Sequence, residues 1–361
     1  MSIDIGAGTE DVLLYDDSRI VENCIKMVLP SPTLVYASKA EELTGKKQNI
    51  IVGGDIIGGS AITAALKKHL ASGLKVAMTE KAAMTIRNNL DEVRSMGIET
   101  VKDESELSKH SGTLISFEEI NATKITKFLS ELGTNPQDID VVAVAVQDHG
   151  AQPPGESNRR FRMRKMQELL EKNPHMEALA FEEAEVPECF MRMRSALDAC
   201  KKQLPNATPV VMDTALSAVL GCLEDPVVVK SHRILAVNVG NGHTLAALVQ
   251  DERVLGLMEH HTEMLRYKPK KLERLLRDFA KGNIKGEDVF KDGGHGAFYL
   301  KARAGGVQQF SSRRVGIFAV TGPNRSVMTE TRIPIHFAAP AGDVMMTGTM
   351  GLVRAVLRKL A

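Results

Sequence analysis

Tryptophan is missing from the 361 residues and aromatic side chains make up only 4% of them, too few rings to build a stacking platform for single-stranded nucleic acid. Charge of one sign is missing as well. Subtracting 45 acidic from 46 basic residues leaves +1, which excludes a general electrostatic grip on a nucleic-acid backbone. The four cysteines, Cys24, Cys189, Cys200 and Cys222, form no CxxC pair, and their scarcity reads as a reducing compartment. No apolar run approaches the roughly 18 to 20 residues needed to cross a bilayer, and the N-terminus has no basic-then-apolar signal. The expectation is a cytoplasmic protein without membrane contact. Three familiar motifs are lacking too: GxxxxGK[ST], HExxH, and a GxGxxG that opens a helix.

Hydrophobic residues reach 43%, enough for sizeable cores, and at roughly 150 residues per domain the length allows two to three domains. The opening predicts strand Ile3–Ile5, a turn at Gly6-Ala7-Gly8-Thr9, and strand Val12–Tyr15, followed by an extended stretch over Cys24–Leu29. Strands at Ile50–Val52 and Lys75–Met78 alternate with helices over Ala61–Leu70 and Ala82–Met96, and a helix near Glu118–Leu132 leads into Val141–Val146. The unbroken apolar character of that last strand suits burial on both faces. Residues 151–208 differ. They begin at Gln152-Pro153-Pro154-Gly155 and carry the densest arginine run, Arg159, Arg160, Arg162 and Arg164, on predicted helices Asn158–Glu171 and Met191–Lys202. We read that run as a solvated helix face, with an anionic substrate or a dimer contact as the other readings.

From Ile234 the opening pattern returns: strand Ile234–Val239, turn Gly240-Asn241-Gly242, strand Thr244–Gln250, strand Arg253–Met258. A helix over Pro269–Lys281, a strand over Val315–Val320 and a closing helix over Asp343–Leu360 follow. Exposed amides in such glycine turns, with the hydroxyls of Thr9 and Thr244, can hydrogen-bond phosphate oxygens. A carboxylate on the entering strand, Asp4, can hold Mg²⁺ through water. Asp148 and His149 end a buried strand, where α/β proteins open onto clefts. Asp148 is the candidate base or a second Mg²⁺ ligand. Asp213 and Asp343 read as helix caps, and Ser60 as the cap of the helix after Gly53–Gly59.

The histidines offer a different chemistry. His243, His260 and His261 lie close in sequence, and His295 sits in Gly-Gly-His-Gly. If both halves face one cleft, His149 joins them, and Glu259 or Asp148 could complete a nitrogen–oxygen set for Zn, Fe or Ni. Neighbouring histidines on a strand point to opposite faces, so His260 and His261 cannot both ligate while the strand continues.

Asp4-Ile5-Gly6-Ala7-Gly8-Thr9 and Asn238-Val239-Gly240-Asn241-Gly242-His243-Thr244 resemble the two phosphate signatures of the superfamily of sugar kinases, acetate kinase, actin and the 70-kDa chaperones. Val320-Thr321-Gly322-Pro323 is similar to its nucleoside-side turn, although Asn238 stands where the second signature ordinarily has Asp. More closely, Gly58-Gly59, Gln147-Asp148-His149-Gly150, Glu259-His260-His261-Thr262 and Gly293-Gly294-His295-Gly296 resemble an uncharacterised archaeal and bacterial family, some of whose members carry a pyruvate formate-lyase activating enzyme label. Such activases need closely spaced cysteines, as in CxxxCxxC. Here Cys200 lies eleven residues from Cys189, so the label has no ligand set.

The resemblance implies an α/β protein of two related actin-like (ribonuclease H-like) domains around a cleft, residues 1–150 and 209–361, with the helical segment 151–208 between them. It implies ATP and Mg²⁺ as cofactors, with Gly6, Gly8, Thr9, Asn238, Gly240, Gly242, His243, Thr244 and Gly322 on the nucleotide and Asp4 and Asp148 on the metal. The activity it implies is an ATP-dependent phosphotransferase or ATPase acting on a small anionic or hydroxylated substrate. The alternatives are a metal-dependent hydrolase working through Asp148, His149, His261 and His295, or a ligand-binding regulatory protein. A homodimer is a further expectation.

Overall fold

The computed structural model describes residues 1–301 and 314–360. The chain opens with β1 (Ser2–Ile5), β2 (Thr9–Leu14) and β3 (Ile25–Pro30), a meander closed by the Gly6–Thr9 turn. It then leaves this sheet for about ninety residues, through α1 (Pro32–Gly45), β4 (Ile50–Gly54), α2 (Ser60–Ala71), β5 (Val76–Thr79), α3 (Glu80–Ala83), α4 (Leu90–Ser95), β6 (Ile98–Val101), α5 (Glu104–Leu107) and β7 (Thr113–Phe117). It returns through α6 (Ala122–Glu131) to β8 (Val141–Val146), α7 (Asn158–Lys172), α8 (Met191–Gln203), β9 (Thr208–Met212) and α9 (Thr214–Gly221). The rest comprises β10 (Arg233–Val239), β11 (His243–Gln250), β12 (Arg253–His261), α10 (Pro269–Ala280), α11 (Gly286–Lys291), β13 (Gly296–Tyr299), β14 (Ile317–Thr321), β15 (Ile335–Phe337) and α12 (Thr347–Leu360).

The described residues form three sheets. The first has the order β3-β2-β1-β8-β9, and the second has β13-β12-β11-β10-β14-β15. With β13 set aside as an extra edge strand, the two orders are the same: an antiparallel meander whose first strand pairs in parallel with a strand from later in the chain. The repeat expected from the two glycine turns is therefore a repeat of topology within an α/β fold.

The third sheet, β6-β5-β4-β7, is wholly parallel and inserted between β3 and α6. It is the main departure from the expected plan of two halves and a helical middle. Its core of Ile50, Val52, Ile62, Leu66, Met78 and Ile115 is separate from the core between the other two sheets.

Local chemistry explains most boundaries. β8 reads Val-Val-Ala-Val-Ala-Val and is covered on both faces, as a central parallel strand requires. In α10, Leu272, Leu275, Leu276 and Phe279 fall at helical spacing and are the buried face. Asp213 caps α9 by accepting from the Ala215 and Leu216 amides.

Four expected elements shift. The helix expected over Ala82–Met96 is two short ones, interrupted where Asn89 caps α4. The Glu118–Leu132 helix starts at Ala122, because residues 118–121 carry the chain out of the inserted sheet. Asp343 caps a 3₁₀ turn over Val344–Met346, and the closing helix begins only at Thr347. Gly59, not Ser60, is the N-cap residue of α2.

α9 is buried along its whole length and crosses α12 at glycines. A Cβ on Gly221 would collide with the Thr347 carbonyl, and one on Gly351 with the Ser217 carbonyl. This contact lays α12 against the first sheet and fixes the floor on which both hairpins stand.

Candidate functional site

The C-terminal ends of β1, β8 and β10 face one another across a cleft of about 850 Å³, the position where α/β sheets usually take ligands. Its walls are Ile5-Gly6-Ala7 of the first hairpin, Asn238 and Gly240–His243 of the second, and Gln147–His149 after β8. Gly58–Ser60 and Thr85–Asn89 of the inserted region, with Arg192 and Thr214, complete them. The two hairpins share one turn geometry. The Gly6 amide donates to the Thr9 carbonyl at 2.9 Å, and the Gly240 amide to the His243 carbonyl at 3.0 Å. They also touch: a Cβ on Gly8 would run into the Asn241 side-chain amide.

Several expected contacts are placed elsewhere. Asp4 does not line the cleft. Its carboxylate accepts from Thr214 Oγ1 at 2.5 Å and lies against Gly348, too close for any side chain there. Burial pushes its pKa up to about 7. The Thr9 hydroxyl turns to Asp11, and the Thr244 hydroxyl is buried against Thr262. Gly322, at φ +95°, packs under Asn238 and Val239 and supports the second hairpin from behind.

Asp148 reaches the cleft, but both its oxygens are spent on architecture. Oδ1 accepts from the Gly150 amide at 2.8 Å, while Oδ2 accepts from the Arg192 and Met193 amides at 2.8 and 3.1 Å. It thereby caps the first turn of α8. Burial raises its pKa against the pull of those amides. Both oxygens of Asp148 are thus engaged by backbone amides that hold the start of α8.

The histidines converge. His149 leaves the end of β8, His243 opens β11, and His295 precedes β13, which pairs with β12. One ligand nitrogen from each lies within 4.8 Å of the other two. Ring centroids are 5.2 Å apart for His149 and His295, and 4.7 Å for His243 and His295. His261 stands beside them, 4.9 Å from both His243 and His295. His260 points to the opposite face of β12, where its Nε2 meets Asp292 at 3.2 Å, as strand alternation predicts.

The electrostatics favour neutral rings. Burial, aided for His149 by Arg162, holds that imidazole well below its ordinary value. Burial also pushes His243 down to about 3 and His261 to about 4. Unprotonated imidazole is the metal-ligating form. Buried polar atoms are ordinarily hydrogen-bonded, yet Nε2 of His243 and Nε2 of His295 find no hydrogen-bonding partner among the described residues, while Nδ1 of His295 faces Glu259 Oε2 at 3.2 Å.

Behind the rings lies a group of charges that the arginine run concealed. Arg162 is 1% exposed and donates to both oxygens of Asp213 at 2.6 and 3.0 Å, and to both of Glu259 at 2.8 and 3.2 Å. Burial would lower the Arg162 pKa, but Asp213 and Glu259 raise it. Burial would likewise raise Glu259, yet Arg162 and then His295 hold it well below the carboxylate range. Arg192 is tied to Glu119 at 2.5 and 3.1 Å. Reading the run as a solvated face is right for Arg164, which pairs on the surface with Glu156 and Glu168, and wrong for Arg162. The signal was present: Arg162 lies between Phe161 and Met163, both core residues.

Among the described residues, only these three histidines form a group of three or more metal-ligating side chains, and no cysteine belongs to it. Cys24, Cys200 and Cys222 are each buried singly, and Cys189 is half-buried. No described helix is long and apolar enough to cross a membrane.

No curated protein matches the chain. Among solved structures, ethanolamine utilization protein EutJ from Carboxydothermus hydrogenoformans is similar at 9% identity and a TM-score of 0.29, over 97% of this chain and 87% of that one. A family model covers residues 57–327, three quarters of the sequence, including the second hairpin and all three histidines. The chain belongs to that family, DUF1786, whose description is "Putative pyruvate format-lyase activating enzyme (DUF1786)".

Proposed function

We propose that the cleft holds a transition metal on His149, His243 and His295 and that the protein is a metal-dependent hydrolase of a small anionic substrate. The observation that carries this reading is the convergence of three imidazoles, with Nε2 of His243 and of His295 left without a protein partner among the described residues. Three nitrogen donors beside an open cleft follow the plan of catalytic rather than structural zinc sites, which leave one position for water or substrate. One nitrogen from each ring lies within 4.8 Å of the other two, so a single ion could be shared by all three. Zinc, iron(II) or nickel would act there as a Lewis acid and acidify a coordinated water.

The chain's own groups do the rest. Gly6, Gly240 and Gly242 offer backbone to the ligand, Asn88, Asn158 and Asn241 offer amides, and Arg87 and Arg192 offer positive charge. His261, outside the ligand set and half-buried, borders the centre on the side of His243 and His295.

The activase chemistry in the family description does not fit these residues, since an iron–sulfur cluster requires several cysteine thiolates together and the cysteines here are dispersed. A second reading, a nucleotide held between the hairpins, is favoured by the contact of Gly8 with Asn241. Among the described residues, no Phe or Tyr lines the cleft to stack a nucleobase.

Metal content decides between the two readings. The purified chain should carry about one equivalent of zinc, iron or nickel and hydrolyse some member of a panel of small phosphate and carboxylate esters. His295→Ala should lose both metal and hydrolysis, while His261→Ala should keep the metal. A wild-type chain that takes up none of the three ions, yet binds MgATP by calorimetry, would establish the second reading.

A further inference from the structure

Glu259 is fully buried, and its Oε2 lies 3.2 Å from Nδ1 of His295, itself 1% exposed. The same carboxylate accepts from Arg162 through both oxygens and from Gln147 Nε2 at 3.3 Å. A side chain held by three donors from two separate elements cannot swing away. Its lone pairs that face His295 therefore meet a ring nitrogen in a set position.

Charge bookkeeping points the same way. Asp213 and Glu259 bring two negative charges and Arg162 one positive, so this buried array has one negative charge in excess. Unbalanced buried charge is unfavourable, and the His295 ring lies directly against Glu259. A cation among those rings offsets the excess.

We infer that Glu259 is the positioning residue of the centre: it fixes His295 as the tautomer protonated on Nδ1, leaving Nε2 as the ligating atom, and the Glu259–Arg162–Asp213 array supplies the charge against which a divalent ion is held. This rests on the metal reading above and adds which nitrogen binds and what sets it. Carboxylates behind a ligating imidazole raise its basicity and orient the ring. For His243 the orphaned atom is likewise Nε2, so both rings would present the same nitrogen.

The test uses zinc and cobalt(II) on the full chain. Zinc affinity measured by chelator competition should fall about 10- to 100-fold in Glu259→Gln, and the visible spectrum of the cobalt form should change. Glu259→Asp, which keeps the charge, should recover part of the affinity. Should Glu259→Gln fail to fold, long-range ¹H–¹⁵N spectra of the zinc-loaded wild type, labelled at histidine, decide instead. The resonance missing in His295→Ala should belong to a ring protonated at Nδ1. Equal zinc affinity and an unchanged cobalt spectrum in folded Glu259→Gln, or a His295 protonated at Nε2, would overturn this inference alone. A wild type that binds no zinc, cobalt, iron or nickel would overturn the metal reading and this inference with it.

Discussion

Asp148 and His149 are adjacent in the chain and end the same strand, yet their surroundings give them opposite work. Every Asp148 oxygen faces backbone amides that no other group satisfies, whereas His149 faces two other imidazoles. Asp148→Asn can accept through only one side-chain atom, so part of the α8 cap is lost. We expect a cost of about 2 kcal/mol, the scale of a lost cap together with an unmet buried donor, read as a lower urea midpoint. A variant as stable as wild type would return Asp148 to the list of groups free for chemistry. Sequence alone showed that these residues sit at a strand end, but not which atoms turn inward. That depends on α8, which arrives more than forty residues later.

Among the elements, the two hairpins were legible because glycine turns between β-rich runs have few other uses. Their partnership across the cleft follows from the repeated strand order. The inserted sheet was legible only in part, through β4 and β5, where strands were expected at Ile50–Val52 and Lys75–Met78. β6 is four residues long and β7 five, and both are only half-covered, so neither carries the long apolar signature that marked β8. The helix crossing beneath the hairpins joins Gly221 and Gly351 from distant parts of the chain, a pairing that local sequence does not signal. Gly221→Ala would place a methyl group on the Thr347 carbonyl and force the helices apart. The expected destabilisation is ~3 kcal/mol, measurable by thermal or chemical denaturation. An unchanged midpoint would mean that α9 and α12 are not in backbone contact.

The whole molecule bears buried carboxyls at odds with its near-neutral net charge. Asp4 and Asp11 are cross-strand partners in β1 and β2. Burial pushes Asp11 up to about 8, with Asp4 adding to the effect, while Asp4 itself rises to about 7. Both folded values exceed the ordinary aspartate value of 3.8, so the folded state holds more protons than the unfolded one between about pH 4 and 8. Stability from this pair is complete below the unfolded value and is lost as pH rises through 7 and 8. The histidines act oppositely, since His243 and His261 are depressed in the fold and weaken it as pH falls below about 6.5. Between pH 6.5 and 8.5 the carboxyls are therefore the clearer contribution. Asp11→Asn, which resembles the protonated acid, should lose less stability than wild type across that window in urea titrations. Parallel pH profiles would show that Asp11 is ionised in the fold.

The central claim is that three imidazoles from the ends of separate elements hold one metal ion. Anomalous diffraction from crystals grown with zinc, with data on both sides of its absorption edge, tests it most directly. The account predicts a single strong peak among His149, His243 and His295, within bonding distance of Nε2 of His295. No peak there, with the three rings instead hydrogen-bonded to ordered water, would contradict it.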